Sequence, residues 1–426
     1  MFKKIFNADD GNLPFFFVKI IGSAFFVFGL TIPFSITTNH ISLFLIILSW
    51  FCLPNSLKSR SLSIKNNFLI ASSTFLFLTT VSLIYFKNID EAGAVMERNI
   101  FFVLVALTFY LLIFNYQQFI TRFAQGFIIG NLINGLNVLF IYYNAQSLLN
   151  ESLTDEAIQN ILPMHATYMA FFFASSIIIL VRNILNQVIN HLLSWVLIAF
   201  FSIIIVLIGS KMGILFLCIV FVYFFYQLFV KNFNFRIVAT TCSLFICLII
   251  LGSKNDIIAY RFASIMSLNF QRHPVKGFNT FSGRIFFWRC ASKIIERNFL
   301  FGVGVGNAQR ELDLCYLENE PTVDEKFLNT YNAHNQFLQI FLEYGLFGII
   351  ILLSIFYAMI NCSIKTKFSE GFILALMFFL FFLTESALNR DKGIVPFSFL
   401  ACAIYAQAKE KNKGDKEQSI LSKRIF

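Results

Sequence analysis

Long apolar runs recur along nearly the whole chain, from residue 15 to residue 408. A helix needs about 20 mainly apolar residues to cross the hydrocarbon core of a bilayer, and fewer where protein shelters it. Counting on this basis predicts about 12 membrane-spanning helices, at residues 15–34, 41–53, 68–86, 99–114, 119–143, 164–181, 193–208, 212–230, 237–251, 335–360, 368–388 and 394–407. The sequence therefore predicts an all-α polytopic membrane protein, with residues 1–426 forming a single integral-membrane domain.

The charged residues are few and are placed as membrane topology requires. Only 13% of the residues are charged, whereas an ordinary soluble domain has about 25%. The formal net charge of +10 is spread over short loops and a lysine-rich C-terminus, so no nucleic-acid partner is expected. The cysteines lack the spacing of metal ligands, and no metal or cofactor is expected.

The distribution of lysine and arginine predicts the orientation in the membrane. Cytoplasmic loops carry an excess of these residues. With the N-terminus in the cytoplasm, the short loops on the opposite side receive only Lys87, Arg98, Lys211, Arg390 and Lys392. Both termini are therefore predicted to be cytoplasmic, and a large loop at residues 252–334 faces outward. The basic tail at residues 409–426 is predicted to be disordered near the headgroups.

The outward loop contains most of the residues suited to chemistry. A helix is predicted to start at Ser282 and to lie on the membrane surface, with Ile285, Trp288 and Ile295, together with position 291 or 292, on its apolar face. Arg284 lies in the first turn, and Arg289 lies about 140° further around the helix, so only one of the two is expected in a small site. The glycines at 302–306 predict a tight turn with close backbone approach. Cys290 and Cys315 lie in the same loop, and the sequence does not decide whether they form a disulfide.

His334 stands between polar residues at the start of the tenth predicted span. A histidine at a helix N-terminus is ordinarily a solvated or capping residue. Imidazole is also suited to remove a proton from a hydroxyl group near neutral pH. Because no ATP is present outside the cytoplasmic membrane, an activated group must arrive there on a carrier lipid. Arginine and lysine would hold the carrier's diphosphate, and His334 would serve as the base.

These motifs, taken in order, resemble the O-antigen ligase and O-antigen polymerase superfamily, which consists of glycosyltransferases of the bacterial inner membrane with a large periplasmic loop before a late span. The resemblance covers about a third of the chain, from Gly209 to Gly348. It is carried by Arg284 with Trp288, the glycine-rich run 302–307, His334-Asn335 with Phe337-Leu338, and the run 343–348.

The resemblance implies a metal-independent, inverting transfer of glycan from undecaprenyl diphosphate to a hydroxyl group of the lipid A core. His334 matches the histidine thought to activate the acceptor, and Arg284 matches the loop arginine that binds the donor diphosphate. Lys211 follows Ser210 where the family tends to have arginine, so it keeps the charge but loses the planar fork. Possible supporting residues are Arg261, Arg289, Asn335 and Glu385.

Glu385 falls near the end of the eleventh predicted span, where a carboxylate is either functional or paired with Arg390 or Lys392. The acceptor also leaves alternatives open. A polymerase for O-antigen, capsule or exopolysaccharide would use the same donor site, with another lipid-linked glycan as the acceptor. A transporter of lipid-linked sugars is a more distant alternative, because it predicts charged residues at the midplane and two related halves, and neither is evident.

Overall fold

The computed structural model describes residues 13–34, 36–53, 67–82, 89–111, 116–148, 162–185, 191–230, 281–319 and 331–423. Over these residues the chain is helical, and no strand is present in them. The helices are α1 (Leu13–Thr31), α2 (Ile36–Phe51), α3 (Asn67–Ser82), α4 (Ile89–Leu111), α5 (Tyr116–Leu148), α6 (Ala166–Leu185), α7 (His191–Ile208), α8 (Lys211–Val230), α9 (Phe281–Arg297), α10 (Ala308–Asn319), α11 (Gln336–Lys365), α12 (Ser369–Thr384) and α13 (Asp391–Lys423). A single 3-10 turn, Ala387–Asn389, joins α12 to α13.

The helices follow the predicted spans closely. Each predicted span overlaps a helix except 237–251, which lies outside the described residues. By length and composition, three described helical segments suffice to cross a membrane, namely Gln118–Asn144, Ala166–Leu185 and Gln336–Lys365, and six others are apolar but shorter. The all-helical membrane architecture is confirmed at this level, and the count of twelve spans stays a prediction. α4 begins ten residues before the predicted position, because its first turns contain charged residues that an apolar count leaves out.

The bundle packs around a core rich in phenylalanine, and its first and fifth helices approach most closely. Gly126 and Gly130 lie one turn apart on α5, and a Cβ atom at either would clash with a backbone carbonyl of α1, at Phe26 and Leu30 respectively. Small residues four apart let two helix backbones meet in the membrane. Phe399 of α13 packs on Phe28 of α1 and on Phe123 of α5, so the last helix rests on this pair.

Helices α9 and α10 form a second apolar cluster on the N-terminal end of α11. The apolar face of α9 has helical spacing and consists of Phe287, Cys290, Ala291, Ile294 and Ile295. A disulfide between Cys290 and Cys315 joins α9 to α10, with the two Cα atoms 5.8 Å apart. The predicted helix is therefore present, but its apolar face packs on protein instead of on the membrane surface. The expected face was also rotated, because Ile285 and Trp288 are only partly buried.

The glycine-rich turn packs closely against a kink in α11. Gly345 interrupts α11 with φ 63° and ψ −154°, and Gly302 has φ 69°. The backbone N–H of Val303 donates to the Leu342 carbonyl at 2.7 Å, and that of Leu346 donates to the Phe299 carbonyl at 3.0 Å. The prediction of a tight turn with close backbone approach is confirmed, and the turn connects the segment between α9 and α10 to the kink.

The last helix is longer than the sequence suggested. α13 continues through Lys423, whereas the residues after 408 were expected to be disordered. Lysine, glutamate and glutamine are good helix formers, and extending an existing helix avoids the cost of nucleation. The predicted span ended where the apolar residues end. Hydropathy alone does not predict the helical extension beyond that point.

Candidate active site

The candidate site lies where the start of α11, the end of α12 and the first turn of α9 meet. His334 precedes α11 with φ 45°, a backbone region that non-glycine residues rarely occupy. Its N–H donates to Asn332 Oδ1 at 2.9 Å. Asn335 is the N-cap of α11, and its Oδ1 accepts from the N–H groups of Phe337 and Leu338. The two asparagines thus fix the backbone that presents His334.

One buried carboxylate joins the two residues that the sequence had singled out. Glu385 caps the C-terminus of α12 and is 7% exposed. Its Oε1 accepts from Arg284 Nη2 at 3.0 Å, and its Oε2 lies 3.4 Å from His334 Nδ1. The sequence expected Arg390 or Lys392 as the ion-pair partner of Glu385; Arg284 and His334 take that place in the structure. Arg284 and His334, separated by 50 positions in the chain, are therefore brought together by a third residue.

The surroundings of Glu385 favour its ionised form. Burial by itself raises the pKa of the Glu385 carboxyl, but the hydrogen bond with His334 and the nearby charges of His165, His334 and Arg284 oppose it. The net result is a pKa below the ordinary value for glutamate. In the tautomer that carries its proton on Nδ1, the imidazole donates a hydrogen bond to this carboxylate, and Nε2 of His334 then has a free lone pair.

Aromatic rings restrict the orientation of the imidazole. The Phe287 ring stacks on His334 with centroids 5.6 Å apart, and the Tyr331 ring lies 5.9 Å away. The side chains of Arg284, His334 and Glu385 are 30%, 20% and 9% exposed respectively. The carboxylate is therefore covered, while the imidazole and the guanidinium remain partly accessible.

The other predicted residues have different outcomes. Asn335 caps α11, and its Nδ2 also donates to the Leu383 carbonyl at 3.2 Å, so it holds the ends of α11 and α12 together. Arg289 is exposed, as expected if only one of the two arginines on α9 enters the site. Arg261 lies outside the described residues.

Lys211 is the exposed first residue of α8. Ser210, which precedes it, caps α8 through a hydrogen bond from Gly213 N–H at 3.3 Å and lies 3.4 Å from the Thr167 hydroxyl. Thr167 in turn donates its N–H to His165 Nδ1 at 3.4 Å. The start of α8 is thus connected to the start of α6. A contact between Lys211 and a diphosphate stays a prediction.

His165 is a residue near the site that the sequence reasoning missed. Burial lowers its pKa; the charge of Glu385 raises it, and the charges of Arg390, His334 and Arg284 lower it. These interactions place the His165 imidazole in the electrostatic field of the candidate site. A signal was available, because His165 lies at the start of the sixth predicted span, much as His334 lies directly before the tenth.

The fold and the site together define a helical membrane protein with a histidine, a carboxylate and an arginine clustered at one end of its bundle. Residues 196–353 match the family model described as O-antigen ligase. This match supports the O-antigen ligase and polymerase superfamily, and members of the matched family are glycosyltransferase-like enzymes. The matched region contains Lys211, Arg284 and His334, whereas Glu385 lies beyond it. No curated protein gave a significant match to the chain.

Proposed function

We propose that the protein is an O-antigen ligase, which transfers glycan from undecaprenyl diphosphate to a hydroxyl group of the lipid A core. The observation that carries the proposal is that one buried carboxylate, Glu385, contacts both His334 and Arg284. A base and a phosphate-binding cation held by one anion are the two parts that such a transfer needs. The match of residues 196–353 to the O-antigen ligase family supports the same class of reaction.

The location we propose is the bacterial inner membrane, with the site facing the periplasm and both termini in the cytoplasm. The Cys290–Cys315 disulfide supports this orientation, because disulfides persist in oxidising compartments and are rare in the cytosol. The positions of the basic residues in the short loops support it independently.

In the proposed reaction, His334 Nε2 removes the proton from the acceptor hydroxyl group as its oxygen attacks the anomeric carbon of the donor. The bond from that carbon to the diphosphate oxygen breaks, and undecaprenyl diphosphate leaves with the bonding electron pair. A single displacement of this kind inverts the anomeric configuration. Glu385 stabilises the imidazolium that forms and holds the ring by Nδ1.

The leaving group carries the negative charge, so it needs a cationic partner in place during the reaction. Arg284 offers five N–H donors, of which one nitrogen contacts Glu385, and its remaining donors suit phosphate oxygens. Lys211 would add a second positive charge without the bidentate geometry. The positive charge that a metal ion supplies in other transferases would come here from these two side chains.

The role of His334 is tested by His334→Gln in cells that lack the native gene. We expect the long-chain lipopolysaccharide ladder to disappear from a gel, since a general base contributes about 10²- to 10⁴-fold to a rate. His40→Gln is the matched control, because His40 is also half-buried but stacks on Phe101 of α4. A normal ladder from stably expressed His334→Gln protein would exclude His334 as the base.

The role of Arg284 is tested by Arg284→Ala in the purified protein with a carrier-linked glycan. We expect a higher KM for the donor, because the diphosphate loses a charge-assisted contact. Arg297→Ala is the control, since Arg297 is exposed in the last turn of the same helix. Unchanged donor affinity in Arg284→Ala would remove this arginine from the diphosphate site.

A further inference from the structure

Three buried polar side chains line one face of the first turns of α11, directly after His334. They are Gln336, Gln339 and Glu343, and they are 0%, 3% and 4% exposed. Residues at this spacing lie on the same face of a helix. Burying three such groups is costly unless hydrogen bonds satisfy them, so their partners indicate what this polar face does.

One group of partners lies in the chain before His334. Gln339 Oε1 accepts from the backbone N–H of Ala333 at 3.1 Å. The same side chain donates through Nε2 to Glu343 Oε1 at 2.8 Å. The residue next to the proposed base is therefore held by an amide that Glu343 in turn orients.

The other group of partners lies in the turn after Glu385. Asn389 Nδ2 donates to Glu343 Oε1 at 3.0 Å, the same oxygen that Gln339 contacts. Gln336 donates to Asn389 Oδ1 at 3.3 Å and accepts from the Leu388 N–H at 2.6 Å. The polar face of α11 therefore connects to both backbone segments that carry the His334–Glu385 pair.

We propose that Gln339 and Glu343 are positioning residues that set the separation between His334 and Glu385. This inference rests on the proposed role of His334 as the base. His334 has a left-handed backbone conformation, which persists only where surrounding contacts enforce it. The 3.4 Å separation of His334 Nδ1 and Glu385 Oε2 is already long for a hydrogen bond, so a small displacement of either segment would separate them. Neither Gln339 nor Glu343 contacts His334 or Glu385 through its own side chain in this network.

The first test is Gln339→Leu, which removes both hydrogen bonds and keeps a side chain of similar size. We expect kcat for glycan transfer to fall by about 10²-fold, the loss typical of a 1 Å misplacement, with the donor KM unchanged because Arg284 is intact. Gln227→Leu is the matched control, since Gln227 is also buried, at 8% exposure, and bonds Ser369 through its Nε2 at 2.7 Å near the far end of α8. The two leucine variants should unfold at similar temperatures.

A structural defect and a positioning defect are separated by repeating Gln339→Leu in a Glu385→Gln background. If the polar face acts through the pair, Gln339→Leu lowers the rate little further once Glu385 is gone. An equal fold-loss in both backgrounds, or full activity of Gln339→Leu, would overturn the positioning role.

The same experiment keeps the two proposals apart. A wild-type protein with no transfer activity, or an active His334→Gln variant, would overturn both the proposed function and the positioning role. An inactive His334→Gln variant together with a fully active Gln339→Leu variant would overturn only the positioning role.

Discussion

Gly345→Ala adds one Cβ atom at the contact between the glycine-rich turn and α11. Gly345 has φ 63° and ψ −154°, a region that is essentially restricted to glycine. A Cβ atom there would overlap the Leu300 carbonyl oxygen and lie 2.6 Å from the Gly302 nitrogen. The backbone strain costs about 1–3 kcal/mol, and the overpacking costs about 1–3 kcal/mol more. We therefore expect a loss of about 2–6 kcal/mol in the free energy of unfolding.

The assay is the unfolding of the purified protein in detergent, compared with Gly93→Ala. Gly93 lies in α4, and a Cβ atom there would meet nothing within 4 Å. Alanine at that helical position should be neutral or stabilising by up to about 1 kcal/mol. If Gly345→Ala and Gly93→Ala have the same unfolding midpoint, the glycine turn does not fix the kink in α11, and the reasoning from backbone geometry is refuted.

Two further predictions concern the loop and the carboxylate. The double variant Cys290→Ser with Cys315→Ser should lose about 3 kcal/mol in the free energy of unfolding. Reductant should lower the unfolding midpoint of the wild type but not of this variant. An equal effect of reductant on both proteins would contradict a stabilising disulfide. The lowered pKa of Glu385 stabilises the fold above the unfolded-state value of about 4.3, and this contribution is lost as the pH falls through the native pKa. Unfolding midpoints measured from about pH 6 to about pH 3 should therefore fall less in Glu385→Gln than in the wild type, and parallel curves would contradict the shift.

Local signals in the sequence predicted most of the helices. Hydropathy depends on neighbouring residues alone, so the apolar spans coincide with helices wherever the structure describes them. The start of α9 was readable from Ser282 and the periodicity after it. The surface on which α9 packs could not be predicted, because α10 and the start of α11 are distant from it in the chain. An apolar face has the same sequence pattern whether it contacts lipid or protein.

The individual residues of the site could be predicted from the sequence, but the contacts between them could not. Arg284 and His334 were identified from motifs and from the chemistry of diphosphate leaving groups. Glu385 was noticed as an unusual carboxylate, but its partners depend on how α9, α11 and α12 meet. The spacing of Gln336, Gln339 and Glu343 shows only that they share a face. The turn at 387–389 covers this face only in the tertiary structure, so the sequence pattern does not predict the contact.

The most direct test of the central claim is transfer by the purified protein, given an undecaprenyl-diphosphate-linked glycan and lipid A core, with each product quantified. We expect lipid A core carrying the glycan, released undecaprenyl diphosphate in equal amount, and a rate at least about 100-fold lower for His334→Gln. Elongation of the donor glycan without a lipid A product would assign a polymerase that uses the same donor site. Product formation by His334→Gln at the wild-type rate would contradict the account.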